Sequence, residues 1–175
     1  MDLSRPTAPD PYPLLPPVPS FTLVSDDVAE GGRMGVEFSA AGGNISPHLR
    51  WSGFPRQARS FLVSCFDPDA PTPAGWWHWT VVDIDGTQSE LERGAGQSDL
   101  TLPGAAYHCR HDGGGHGYMG AAPPRGDHVH RYVFAVHALD VDSLDADPDD
   151  SPTKVAITAL FHTLARATLT ATFQR

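Results

Sequence analysis

Disulfides cannot shape this chain. Its 175 residues hold two cysteines, Cys65 and Cys109, too few for a cross-linked framework. Cys65 sits inside an apolar run, where a small buried hydrophobe fits. No apolar stretch approaches the roughly 18 residues that a membrane-spanning helix needs. Basic residues are scarce: 12 Lys plus Arg stand against 21 Asp plus Glu, a formal net charge of -9. No basic cluster interrupts that balance, which argues against nucleic acid and anionic lipid surfaces as electrostatic partners. Much of the acid lies in DVDSLDADPDD (140–150), which reads as a solvated loop. The first residues lack the basic start and apolar run of a secretory leader. A cytoplasmic protein without integral membrane contact is the expectation. Helix signals are few as well. With 17 Pro and 17 Gly, the chain calls for many turns and excludes a helical bundle.

Seven prolines precede Ser20. They exclude a helix or central strand over residues 1–20 and leave an extended arm. Tyr12, Leu14, Leu15 and Val18 make its second half apolar, so it is expected to pack on its own domain or on a second subunit. A homodimer is the expected assembly. Residues 21–175 show no composition break and no repeat. They read as a single domain, long enough to bury a core without staples.

Within that domain, short apolar runs alternate with turns, as in a mostly β chain. FTLVS (21–25) and GVEFSA (35–40) read as strands. SFLVSCF (60–66) has the apolar density of a strand buried on both faces. WHWTVVDI (77–84) and HRYVFAVHALD (130–140) are its expected neighbours in one sheet. One helix is expected near 153–166, with Ser151 as N-cap and Pro152 opening it. Ala156, Leu160 and Leu164 recur at helical spacing. TLTATF (168–173) then alternates as a last strand.

Chemistry-bearing side chains gather at the ends of these strands. In FDPDAP, Asp67 and Asp69 stand among prolines that stiffen a strand exit. The arrangement fits an Asx-type turn, and equally a carboxylate held in place for a site. In GWWHWTVVD, simple alternation puts His78 on the face of Thr80 and Val82, opposite Trp77, Trp79 and Val81. A histidine amid tryptophans is more often a satisfied core residue than a ligand. In GYMGAAPPRGDHVHRYVF, Pro123, Pro124 and Gly126 make a stiff loop. His130 and Tyr132 then share a face, with Arg131 on the other. If the strand ends meet, Asp67, His78, His130 and Tyr132 converge.

DPDAP, GWWHW and GAAPPRGDHVHRY, in that order, resemble the motifs of the phosphatidylethanolamine-binding protein family, in its bacterial branch. NISPHLRWSGFP resembles the family's first signature loop. SPTKVAITALFHTLARATLTATFQR resembles its C-terminal helix and last strand, so the resemblance runs from about Phe21 to the end. It implies an antiparallel β-sandwich with a small anion-binding pocket at one end. It also implies that Asp67, Pro71, His78, Pro123, His130 and Tyr132 line that pocket. Two departures stand out. The family's GxHR motif reads DHVHR here, with Gly126 four positions ahead of His130. Ala122 replaces the glycine common before the two prolines and adds a methyl group at the pocket wall.

HCRHDGGGHGYMG places His108, Cys109, His111 and His116 within nine residues, a pattern that suggests a metal site. Three consecutive glycines argue instead for a mobile loop near the pocket mouth, with His116 or Tyr118 at its rim. No metal or other cofactor is expected. Three readings of function follow. The first is a non-enzymatic protein that binds a small anion, phosphate or a phospholipid headgroup, and acts on partner proteins. For some relatives the resemblance implies regulation of kinases or proteases. The second is a hydrolase or other enzyme using Asp67, His78 and His130. It lacks an evident nucleophile, because Cys65 reads as buried and Ser64 has no clear partner. The third is an interaction protein with a vestigial pocket. The expected ligand-binding set is Asp67, Pro71, His78, Tyr118, Ala122, Pro123, His130 and Tyr132, with no catalytic residue assigned.

Overall fold

The computed structural model describes residues 2–175. In chain order the strands are β1 (Thr22–Val24), β2 (Leu49–Ser52), β3 (Ser60–Asp67), β4 (Trp76–Asp85), β5 (Glu90–Leu91), β6 (Tyr107–His108), β7 (His130–Leu139) and β8 (Thr163–Phe173). They form a five-stranded sheet, ordered β6-β4-β3-β7-β8, and a three-stranded sheet, ordered β1-β2-β5. All pairings between these strands are antiparallel. The three long apolar runs read from the sequence are β3, β4 and β7, adjacent in the large sheet.

Alternation along the strands decides the layers. Phe61, Val63 and Cys65 of β3, with Phe134 and Val136 of β7, point inward onto Leu49 and Trp51 of the small sheet. Leu62 and Val82 point outward, where helix α1 (Pro152–Leu160) lays Val155 and Ala159 on them. Ser151 caps that helix by accepting the Lys154 N–H, and Pro152 opens it. At nine residues the helix is too short to hold itself in water. Each aliphatic side chain it buries stabilises by about 1.5–3 kcal/mol, which fixes it in place.

Two elements differ from the sequence reading. GVEFSA is not a strand: Val36–Phe38 is a 3₁₀ turn, tightened by the Ser39 hydroxyl donating to the Val36 carbonyl at 2.6 Å. The helix also ends at Leu160, so Leu164 lies on β8. Its buried row is Val155 and Ala159, not Ala156 and Leu160. The Thr163 hydroxyl donates to the Ala159 carbonyl at 2.7 Å, ending the helix where β8 begins to pair with β7. Long-range pairing overrides local helical spacing there.

The Pro-rich arm lies along the outer face. Tyr12 and Leu15 pack on Val133 and Ala135 of β7. Arg131 Nη2 donates to the Ala8 carbonyl at 2.6 Å, and the Arg166 guanidinium stands 5.4 Å over the Tyr12 ring. Tyr12 and Leu15 thus find partners within their own chain, whereas Leu14 is 73% exposed. Among the described residues no helix is long and apolar enough to cross a membrane.

Candidate functional site

The strand β3 ends where β4 and β7 begin, because it runs antiparallel to both. Asp67, the last residue of β3, keeps the inward phase of Val63 and Cys65. Its Oδ1 accepts the Asp69 N–H at 2.8 Å, closing the Asx turn. Its Oδ2 accepts from His130 Nδ1 at 2.7 Å. The other ring nitrogen, His130 Nε2, donates to Asp127 Oδ2 at 3.1 Å. Carboxylates only accept, so both nitrogens carry protons and the ring is an imidazolium. Burial opposes that charge, but the hydrogen bonds and charges of Asp67 and Asp127 outweigh it and raise the His130 pKa.

The ion pairs continue outward into the arm. Arg5 binds Asp127 with both guanidinium nitrogens, each at 2.9 Å, and also donates to the Asp69 carbonyl. Arg5, then His130, hold the Asp127 carboxyl far below the usual range. Asp69 takes a two-point contact from Arg131, Nε and Nη2 each at 2.8 Å. Burial pushes the Asp69 pKa up, but the Arg131 hydrogen bonds win and lower it. Asp67, Asp69 and Asp127 thus face three cations, His130, Arg5 and Arg131, and the cluster is close to neutral.

His78 arrives by a different device. Cys65 pairs with Trp79 and Phe66 with Trp77, so His78 is an extra residue, a β-bulge. The bulge breaks the simple alternation. Trp77 turns outward onto Phe66, ring centroids 4.6 Å apart. Trp79 stays in the inner core. His78 joins the inward side and meets the Tyr132 ring edge-on at 5.1 Å. The expected shared face of His78 with Thr80 and Val82 is therefore wrong, and the inserted residue is the reason. Gly75 makes the entry to β4 feasible. It has φ +66°, and a Cβ there would lie 2.7 Å from the Asp67 carbonyl oxygen.

His78 Nδ1 donates to the Met119 carbonyl at 2.8 Å. Burial dominates and lowers its pKa, so the ring is neutral and Nε2 carries a lone pair. No described residue bonds Nε2. The Tyr132 hydroxyl is buried and also has no partner of good hydrogen-bond geometry among the described residues; the Ala122 backbone lies near it. Burial, then the Asp67 charge, raises the Tyr132 pKa far above the usual phenol range, so it remains a donor.

The other expected site residues fall in three groups. Pro123 is buried and Ala122 half-buried in the loop beside Tyr132, whereas Pro71 is exposed in the β3–β4 turn. Tyr118 is a core residue: its ring meets Trp79 edge-on at 5.6 Å and its hydroxyl donates to the Phe38 carbonyl at 3.0 Å. His108, Cys109, His111 and His116 do not converge. His108 pairs with Asp99 at 2.7 Å, His116 lies 3.3 Å from Asp149, His111 accepts the Gly113 N–H at 3.0 Å and Cys109 is a free buried thiol. Metal-ligating atoms of Asp127, His128 and His130 do come within 4.8 Å of one another. Arg5 and the His130 proton already occupy that space in charge terms.

Sequence reasoning missed Arg5, Asp127 and Met119. Asp127 stands three residues before His130, in the stretch DHVHR that departs from the family motif, and that departure was its one signal. Arg5 lies 122 residues from its partner, and nothing local marks it.

Known proteins resemble this chain over most of its length. The E. coli UPF0098 protein YbhB is 42% identical over 158 residues, covering 86% of this chain and 98% of YbhB. The crystal structure of E. coli YbcL, described as a member of the mammalian PEBP family, superposes with a TM-score of 0.87 at 38% identity, covering 89% of this chain and 99% of YbcL. A Mycobacterium tuberculosis protein named as a lipoprotein, LppC, is 30% identical over 91% of this chain and 75% of its own length. The family profile described as phosphatidylethanolamine-binding protein matches residues 24–174. That span contains the five-stranded sheet, β2 and β5, the helix and the Asp67–His78–His130–Tyr132 cluster, and the chain belongs to the phosphatidylethanolamine-binding protein family.

Proposed function

We propose that the end-of-sheet site binds a small anion, phosphate or the phosphate of a phospholipid headgroup, without turning it over. One observation carries the reading: the buried Tyr132 hydroxyl has no partner, and its ring meets that of neutral His78 edge-on. Leaving such a donor unpaired costs about 1–3 kcal/mol, which a bound oxyanion recovers. His78 Nε2 takes up a proton as the anion arrives and becomes a second donor. His130 has both nitrogens committed to carboxylates. It positions Asp67 and offers no free base, which disfavours the hydrolase reading. Ser64 faces away, and Cys65 is a buried thiol. Action on partner proteins, kinases or proteases among them, is part of the proposal, as is cytoplasmic residence. The lipoprotein among the relatives makes cell fractionation the measurement for the latter. The binding proposal is tested by calorimetry with inorganic phosphate, glycerophosphoethanolamine and acetate. Both phosphates are expected to bind at millimolar concentration or below, and Tyr132→Phe to weaken them. No binding by the folded protein would leave the pocket vestigial.

A further inference from the structure

The outer face of the large sheet holds a cavity of about 380 Å³. Four elements wall it: β3 and β4 form the floor, helix α1 one side and the arm the other. The Asp67–His78–His130–Tyr132 cluster lies on the inner side of the same sheet, so the two are separate. Leu62, Phe66, Trp77 and Leu160 give the cavity an apolar lining. Hydroxyls interrupt it. Ser64 and Thr80 sit directly opposite each other on β3 and β4, and the Tyr12 hydroxyl lies beside Ser64 without a well-formed hydrogen bond to it. Tyr12 Oη and Thr80 Oγ1 are buried without a partner among the described residues, on side chains of residues 8% and 2% exposed.

No Asp, Glu, Lys or Arg lines this cavity. His137 does, but burial pushes its pKa down to about 3, and its Nδ1 is engaged with Thr163 Oγ1 at 3.1 Å. A charged guest would lose its water there, and the one nearby cation, Arg166, is held over the Tyr12 ring at 5.4 Å and does not line the cavity. An uncharged guest would bury apolar surface and answer hydroxyls that are otherwise unpaired.

We infer that this cavity binds a small uncharged amphiphile, with an alkyl or aryl body against the apolar walls and one hydroxyl or carbonyl on Tyr12 and Thr80. The inference is independent of the anion site and selects opposite chemistry. The test uses the full chain and three probes: n-octanol, octanoate at pH 7.5 and inorganic phosphate. Amide and methyl shifts are followed by NMR, with Trp fluorescence in parallel. Octanol is expected to saturate shifts at Tyr12, Ser64 and Thr80. Octanoate, of the same length but charged, is expected to bind at least tenfold more weakly. Saturating phosphate should leave the octanol affinity unchanged. Ala156→Phe, on the half-buried helix wall, should fill the cavity and abolish octanol binding. Thr80→Val, which keeps shape and removes the hydroxyl, should weaken it several-fold. Absence of saturable octanol shifts in the folded protein would overturn the inference. So would equal binding of octanoate, or unchanged octanol affinity in folded Ala156→Phe.

Discussion

Asp127→Asn tests the buried ion pairs most severely. The amide keeps an oxygen for His130 Nε2 and for Arg5 but removes the charge that both face. His130 and Asp127 side chains are each 1% exposed, while Arg5 is 24% exposed. A charge-assisted hydrogen bond contributes about 1.5–3 kcal/mol when buried, whereas the Arg5 share is screened by solvent. Asp67 still holds Nδ1, so the ring is not orphaned. The expected loss is about 1–3 kcal/mol. In a domain of this size each kcal/mol moves Tm by about 2–4 °C, so the drop should be on the order of 3–10 °C. The pH dependence carries the sign. His130 has a folded pKa above its ordinary 6.5. Its stabilisation is therefore fully present below 6.5 and is lost as pH rises through the raised folded value. His78, with its lowered pKa, acts the other way: it costs stability as pH falls below its unfolded value. Urea unfolding from pH 7 upward separates the His130 contribution from that of His78, and NMR of the imidazole reads its pKa directly. In Asp127→Asn the pKa should fall toward 6.5 and the stability slope should flatten. An unchanged midpoint with an unchanged His130 pKa would show that the Asp127 contact does not form in solution.

Three further outcomes follow from the same geometry. Tyr132→Phe removes a buried hydroxyl that no residue satisfies, so without phosphate stability by urea unfolding should rise by about 1–3 kcal/mol while phosphate binding weakens about three- to tenfold. Both thiols should resist a thiol reagent in the folded state: burial raises the Cys65 pKa well above its ordinary value and pushes Cys109 up to about 12, and rapid labelling of either would contradict their burial. Deleting residues 1–19 uncovers Val133 and Ala135 and releases Arg5 from Asp127, so Tm should fall. Light scattering should give the same number of subunits as the full chain, because the arm packs on its own domain.

The long strands were legible because apolar density and bounding prolines mark them directly. Asp67, His130 and Tyr132 were legible as a group because each stands at the end of such a strand and alternation fixes its face. His78 was placed on the wrong face. A bulge adds one residue without any local sign, and the Trp-rich run reads equally well with or without it. The end of the helix was also missed, since Leu164 continues the helical spacing while its backbone pairs with β7. Val36–Phe38 read as a strand because nothing in the alternation shows Ser39 tightening a turn. Arg5 and Asp127 illustrate the largest gap. Ion pairs between distant segments depend on the path of the arm, which only the folded chain defines.

The central claim is that His78 and Tyr132 form an anion site, and one titration tests it most directly. The imidazole signals of His78 and His130 are followed by NMR against pH, with and without saturating phosphate. Without phosphate, His78 should titrate below its ordinary value, as burial requires, and His130 above it. With phosphate, the His78 pKa should rise by about one unit or more, each unit reporting about 1.4 kcal/mol of preference for the charged ring. His130, already charged and held by two carboxylates, should move little. A His78 pKa that stays where it was in the folded protein, at phosphate concentrations up to tens of millimolar, would contradict the account.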